Sequence, residues 1–318
     1  MNFKRIEEEI FNHIEVADSI IVVTHKNPDF DAIGSQIGLK LALLKRFPRK
    51  KIYATGDSGR QLQYDSYKEE IDDAVFINSL VILVDTPAKK LIGDIRALTA
   101  KTLIKIDHHQ NSESFGDVEY LDDKTIAAAQ IVTRFLMNYL FDIDKDIAYF
   151  LLMGIIGDSG RFRYSGVNNE TYELCGLLMS EGVDMQPLFS QMYAQSQRVK
   201  RFVGYIASNF SVTNNGVAYI KITLELLLNM DPKLEELGKG FVNTLSDIKG
   251  CPIWTEFVEQ EDGITVELRS SDIKVNDIAT KFGGGGHALA AGALVHSWDE
   301  VDAIIATCDA AIAEQESK

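Results

Sequence analysis

The sequence predicts an α/β protein with an N-terminal parallel-sheet domain and a smaller C-terminal α/β domain. Three observations predict it. Apolar runs of strand length alternate with stretches of helical period up to about Val183, the pattern of a parallel sheet covered by helices. Beyond Val183 the pattern changes to β-prone pairs joined by turn signals. The 318 residues are enough for two domains of roughly 100–200 residues, each with its own core.

Residues 1–15 read as an amphipathic helix, and strands are predicted at 19–24, 51–55, 80–84 and 102–106. Between the first two strands, Ile33, Ile37, Leu41 and Leu44 recur at helical spacing, which predicts a helix over 32–45 packed on the sheet. Further helices are expected at 126–140, 147–156 and 170–180. The polar stretch 191–201, carrying Arg198, Lys200 and Arg201, has no clean apolar stripe at its centre and reads as a helical connector. The expected organisation is therefore a domain over 1–188, a connector over 189–209 and a second domain over 210–318. In that second domain Asn215-Gly216 marks a hairpin, residues 253–260 and 264–270 form a β pair around Glu261-Asp262-Gly263, and a helix follows Trp298.

Composition excludes several functions. With 32 Lys+Arg against 47 Asp+Glu the formal charge is −15, which argues against non-specific binding of long nucleic acid. Cys175, Cys251 and Cys308 are widely spaced, so neither a disulfide framework nor a cysteine zinc site is supported. The N-terminus lacks the apolar core of a signal peptide, and the longest apolar run, 148–156, is far shorter than the ~20 residues of a membrane span. A cytoplasmic protein with no membrane partner is expected. For oligomeric state a homodimer is an open alternative, with the apolar side of 126–140 as its candidate surface, although such a helix is more often buried in its own domain.

Ionisable residues follow three of the predicted strands: His25 with Asp29 and Asp31, Asp85, and Asp107-His108-His109. The carboxyl ends of parallel strands line the ligand crevice, so these segments should converge on one edge. Asp158 ends the apolar helix 147–156 in the same manner. Carboxylates gathered this closely repel one another, and the usual compensation is a divalent metal. Mixed imidazole and carboxylate ligands favour manganese, iron, cobalt or zinc over calcium, and there are enough ligands for two ions. The plainer alternatives are that Asp85 is a turn or helix cap and that Asp107 orients a neighbouring histidine. Gly283 to Gly286, followed by His287, would let backbone N–H groups approach an anion, and a following helix N-terminus would add a favourable dipole. Arg269, followed by Ser270, offers the planar fork that suits phosphate.

Together these segments resemble the DHH phosphoesterase superfamily. The residues that carry the resemblance are H-x-x-P-D-x-D-A-x-G-S at His25 to Ser35, VDTP at Val84 to Pro87, Asp107-His108-His109 and GDSGRFRY at Gly157 to Tyr164. Leu268 to Ser270 and Gly283 to Gly292 resemble the DHH-associated C-terminal domain. Length and motif order resemble the bifunctional oligoribonucleases that also dephosphorylate 3′-phosphoadenosine-5′-phosphate. The resemblance implies a site in the interdomain cleft holding two Mn2+, with Mg2+ or Co2+ as alternatives. His25 and Asp29 would hold one ion, Asp31, His108 and Asp158 the other, and Asp85 both. It further implies His109, Asp107 and Asp85 as catalytic residues, and Arg269, Ser270, Gly284, Gly285, Gly286 and His287 as contacts to a short single-stranded RNA or a nucleotide. One departure is Ser159, where relatives often have Thr; the hydroxyl is kept. Action mainly on pApA or cyclic di-AMP is the nearest alternative. More distant are an inorganic pyrophosphatase, whose second domain normally carries lysine-bearing motifs, and a non-catalytic nucleotide sensor, which should have lost ligands.

Overall fold

In the computed structural model, which describes residues 3–59, 62–110, 112–233, 237 and 240–316, the chain divides into two units, Met1–Ala194 and Gln195–Lys318. The first unit runs α1 (Phe3–Val16), β1 (Ser19–Val23), α2 (Phe30–Arg46), β2 (Lys51–Thr55), α3 (Asp73–Ile77), β3 (Leu80–Val84), β4 (Thr102–Asp107), β5 (Val118–Leu121), α4 (Ala128–Asn138), α5 (Lys145–Asp158), α6 (Asn169–Ser180) and α7 (Met185–Tyr193). Its sheet has the order β2-β1-β3-β4-β5 with every pairing parallel. All five residues of β3 (LVILV) are buried, as expected of a parallel strand covered on both faces.

Strand β5 was not among the predicted strands. Its four residues, VEYL, alternate buried and half-buried, and a run so short gives little periodic signal; parallel pairing with β4 from Ile104↔Val118 to Asp107↔Leu121 defines it. Helices α2 and α5 cross closely because both carry glycine at the contact: a Cβ on Gly34 would lie 2.4 Å from the carbonyl oxygen of Phe150, and one on Gly154 would lie 2.9 Å from Asp31 Oδ1. This approach brings the N-terminal end of α2 beside the C-terminal end of α5. Helix α4 buries Ile131, Val132, Phe135 and Leu136 completely in the core of its own unit, so the apolar side that was the candidate dimer surface is already covered.

The second unit runs α8 (Gln197–Asn209), β6 (Ser211–Val212), β7 (Val217–Ile222), α9 (Leu224–Met230), β8 (Ile253–Gln260), β9 (Gly263–Ser270), α10 (Asn276–Lys281), β10 (Gly285–His287), β11 (Ala290–Val295) and α11 (Trp298–Glu316). The sheet order is β10-β11-β9-β8-β7-β6, antiparallel except for β7 with β8. One face packs Ile253, Phe257 and Val266 against Val301, Ile304 and Cys308; the other packs Ala218, Ile220 and Val258 against Phe202 and Ile206. The stretch expected to connect the domains is not one helix. It breaks after Tyr193, Ser196 caps α8 by accepting from Val199 N, and α8 contributes Phe202 and Ile206 to the second unit's core. Among the described residues, no helix is long and apolar enough to cross a membrane.

Candidate active site

The site is built at the carboxyl ends of β1, β3 and β4 and at the facing ends of α2 and α5. His25 follows β1, and its Nδ1 lies 2.8 Å from the Lys26 carbonyl oxygen. A carbonyl only accepts, so Nδ1 carries the proton and Nε2 is left for Asp85 Oδ2, 3.5 Å away. Asp29 caps α2 through one oxygen, Oδ1, which accepts from Asp31 N and Ala32 N at 2.9 and 3.0 Å. Capping and metal-ligand roles are therefore compatible in Asp29. Asp31 is fully buried, and its two oxygens accept from Ala128 N (2.6 Å) and Ala129 N (2.9 Å).

Asp85 is not the cap that was the plainer alternative. It sits just past β3 with φ +53°, a left-handed conformation that costs a non-glycine residue energy and is found preferentially at functional sites. His108 Nε2 lies 3.1 Å from Asp158 Oδ2, 3.5 Å from Asp85 Oδ1 and 3.7 Å from Asp31 Oδ2. Among the described residues, three groups have ligand atoms close enough to hold a metal ion: His25, Asp29 and Asp85; Asp31, His108 and Asp158; and Asp85, His108 and His109. The first two bring together residues that the resemblance assigns to one ion each; Asp85 falls in the first and third groups and not with Asp31 and Asp158. Asp85 Oδ1 and His108 Nε2 are buried yet make no well-formed hydrogen bond. Buried polar atoms seldom go without a partner, so these two fit a cation as the missing partner.

The charges tell the same story. Burial, then the charges of Asp85 and Asp158, push the Asp29 carboxyl up to about 6, and the same causes raise Asp31 well above the carboxylate range. Burial alone would lower His108, but the carboxylates of Asp158 and Asp85 overcome it and push the ring up to about 12. His25, likewise opposed by burial, is pushed up to about 9 by Asp85. The protein thus gathers more negative charge than its own side chains neutralise, which a divalent ion would relieve.

Asp107, almost fully buried, accepts from His109 Nδ1 at 2.8 Å and from the Ser112 hydroxyl. It orients its neighbour, as the alternative for Asp107 held, and leaves the half-exposed His109 ring with Nε2 directed away from that bond. Ser159 is also buried; its hydroxyl accepts from Phe162 N (3.0 Å) and so ties down the turn in which Gly160, Arg161 and Phe162 all have positive φ.

Residues 19–155 match the model of the DHH family N-terminal domain, and 235–314 match the DHHA1 domain. A bifunctional oligoribonuclease and PAP phosphatase, NrnA, of Bacillus subtilis is 32% identical over 98% of this chain and 100% of its own length. The chain belongs to the DHH phosphoesterase family. It is a hydrolase of phosphoester bonds. A probable NrnA of Streptococcus mutans is 34% identical over 92% of this chain and 94% of its own. Among solved structures, an exopolyphosphatase-related protein of Bacteroides fragilis matches with a TM-score of 0.85 and 27% identity, covering 96% of both chains.

The DHH assignment directs attention to the second unit's motifs. Arg269 lies on β9 and points its guanidinium at Glu267 Oε2 (3.2 Å) and the Leu268 carbonyl oxygen (2.9 Å). Ser270 is buried, and its hydroxyl accepts from Asp272 N and Ile273 N. The glycine run does not precede a helix. Gly285, Gly286 and exposed His287 form edge strand β10, and Ala290 to Val295 form its partner β11, so the dipole of a following helix is absent. The glycines have a packing reason as well, because a Cβ on Gly284 would lie 2.1 Å from the carbonyl oxygen of Gly292. The small residues Ala290, Ala291 and Gly292 pair with β10, and a Cβ on Gly286 would lie 2.6 Å from the carbonyl oxygen of Ala290.

Sequence reasoning missed Thr125, whose carbonyl oxygen meets His108 Nδ1 at 3.3 Å, and the amides of Ala128 and Ala129. These are backbone groups, so residue identity carried no signal. The one available hint was the run Ala127-Ala128-Ala129 at a helix start, where side chains leave the amides accessible.

Proposed function

We propose that the protein is a manganese-dependent phosphoesterase that hydrolyses short oligoribonucleotides to mononucleotides and removes the 3′-phosphate of 3′-phosphoadenosine-5′-phosphate. The observation that carries this reading is the pair of ligand groups, His25 with Asp29 and Asp85, and Asp31 with His108 and Asp158, with Asp85 Oδ1 3.5 Å from His108 Nε2. The names of the two NrnA relatives support the choice of substrates. Two divalent ions, when bound, would neutralise the phosphate and make water a stronger nucleophile at neutral pH. His25 presents Nε2 because Lys26 holds Nδ1, and His108 presents Nε2 because Thr125 holds Nδ1. His109, held at Nδ1 by Asp107, keeps Nε2 for the scissile phosphate and for the proton that the leaving ribose oxygen takes up. Arg269, Ser270, the segment Gly284 to Gly286 and His287 are assigned to holding the substrate's anionic groups.

The test is metal-dependent turnover of an RNA dinucleotide, a five-residue RNA, 3′-phosphoadenosine-5′-phosphate, pApA, cyclic di-AMP and pyrophosphate. Mononucleotide release from the short RNAs with loss of the bisphosphate's 3′-phosphate is expected. Activity confined to cyclic di-AMP, pApA or pyrophosphate would reassign the substrate, and no activity with Mn2+, Mg2+ or Co2+ would sink the enzymatic reading.

A further inference from the structure

Behind the ligands lies a second layer that no motif marks. Arg134 sits on α4, two turns from its start, with only its side chain's edge reaching solvent. Its guanidinium forks onto both oxygens of Glu170, with Nε to Oε1 and Nη2 to Oε2 each 2.7 Å. The remaining donors reach Asp122 Oδ2 (3.0 Å), the Tyr120 hydroxyl (3.0 Å) and the Thr125 hydroxyl (3.2 Å). Asp122 in turn accepts from the Thr125 hydroxyl at 2.7 Å, so one guanidinium and one carboxylate grip the turn from 122 to 125.

That turn bears directly on two of the metal-ligand candidates. The carbonyl oxygen of Thr125 meets His108 Nδ1, and three residues later the amides of Ala128 and Ala129 hold both oxygens of Asp31. The backbone of Asp122 also donates to the Asp107 carbonyl oxygen at 3.1 Å, just before His108. Groups that bond a ligand's far side fix its orientation and the nitrogen it presents, and their loss typically weakens metal binding by about 10- to 100-fold. We infer that Arg134, clamped by Glu170, is a positioning residue that sets His108 and Asp31 for the metal they share with Asp158. This rests on the metal-site reading proposed above. Arg134 itself touches neither metal nor substrate. Lysine cannot replace it, because a single ammonium cannot span Glu170, Asp122 and Thr125 at once.

The experiment measures Mn2+ affinity by titration with electron paramagnetic resonance detection of free ion, on full-length wild type, His108→Ala, Arg134→Leu, Arg134→Lys and Glu170→Gln. kcat and KM for an RNA dinucleotide are taken over a range of Mn2+ concentrations. Arg134→Leu is expected to weaken one of two ions about 10- to 100-fold and to lower kcat at limiting Mn2+. Excess Mn2+ should restore kcat, with KM unchanged throughout, a pattern that general loosening of the fold does not give. Should Arg134→Leu fail to fold, Arg134→Lys and Glu170→Gln decide the matter by the same signature in milder form. Wild-type affinity for both ions in the folded Arg134 and Glu170 variants, while His108→Ala loses one ion, would overturn this inference and leave the metal site standing. Absence of Mn2+ binding by the wild type would overturn both.

Discussion

Asp85 in the first unit and Glu256 in the second are buried to the same degree, each 1% exposed, and each has one carboxylate oxygen without a hydrogen-bond partner. Their ionisation is nonetheless opposite. Burial pushes Asp85 up, but the rings of His108, His25 and His109 more than reverse it and hold the carboxyl below its ordinary range. Burial and then the charge of Glu267, its direct neighbour across the ladder, push Glu256 up to about 7. The charge of Arg269 pulls the other way, but its guanidinium bonds Glu267. Burial therefore sets the cost of a charge, and the neighbours decide whether the group stays charged. An ionised carboxylate with an open lone pair among imidazoles is suited to a cation. Glu256, raised to about 7 by burial and then by a second carboxylate, has no such cationic surroundings among the described residues.

The largest expected effect tests the Asp85 half of this contrast. Asp85→Asn keeps the shape and removes the charge proposed to serve both ions, so kcat for an RNA dinucleotide should fall by at least about 10³-fold, the scale of losing a preorganised charge at a reacting centre. Mn2+ titration of the same variant should show weakened binding of both ions. A loss confined to one ion would mean that Asp85 serves a single site. Next in size is His109→Ala, expected to lower kcat by about 10²- to 10⁴-fold as a lost proton donor with Mn2+ affinity little changed. Asp107→Asn should fall short of that, because the ring remains and only its orientation is loosened; equal losses in kcat would show that Asp107 does more than orient.

How much of this contrast was legible in the sequence follows from where each interaction lies along the chain. Asp85 was legible because a parallel sheet delivers the ends of successive strands to one edge, and His25, Asp85 and Asp107-His108-His109 stand immediately after apolar runs. Asp158 was legible as the end of an apolar helix. Glu256 was not, because nothing in IWTEFVEQ sets it apart from Glu259 in the same β-prone run. In the fold it is buried, and Phe241 N donates to its Oε2 at 3.1 Å. The clamp of Arg134 on Glu170 spans 36 residues and two helices, and side-chain partners at that separation leave no periodic trace. The glycine run was legible as a special backbone but not as an edge hairpin, since glycine fits either an anion loop or a close strand crossing.

A smaller effect is expected at the second unit's arginine. Arg269→Ala removes the donor proposed to hold an anionic substrate group and should raise KM by roughly tenfold or more, the equivalent of about 1.5–3 kcal/mol, while kcat stays near wild type. Steady-state kinetics with 3′-phosphoadenosine-5′-phosphate separates the two constants. A fall in kcat at constant KM would instead place Arg269 among the groups that act only in the transition state. The same substitution removes the cation paired with Glu267 and leaves two facing carboxylates with less compensation, which links this variant to the last and smallest effect.

That effect is the pH dependence of stability contributed by Glu256. Its folded-state pKa of about 7 lies above the ordinary 4.5, so between these values the folded protein binds a proton that the unfolded chain has released. Stability from this group is then present below about 4.5 and declines as pH rises toward 7, by no more than about 1.4 kcal/mol per pH unit, and is flat beyond. Glu256→Gln is neutral throughout and should lack that slope. Denaturant unfolding of wild type and variant at pH 5, 6, 7 and 8, in chelator so that bound metal does not contribute, gives the difference between them. The titrations of the histidine and carboxylate cluster are common to both proteins and cancel. The variant should match wild type near pH 5 and be the more stable of the two at pH 8. Parallel curves would mean that Glu256 is ionised in the fold as Asp85 is, and the distinction between the two buried carboxylates would be lost.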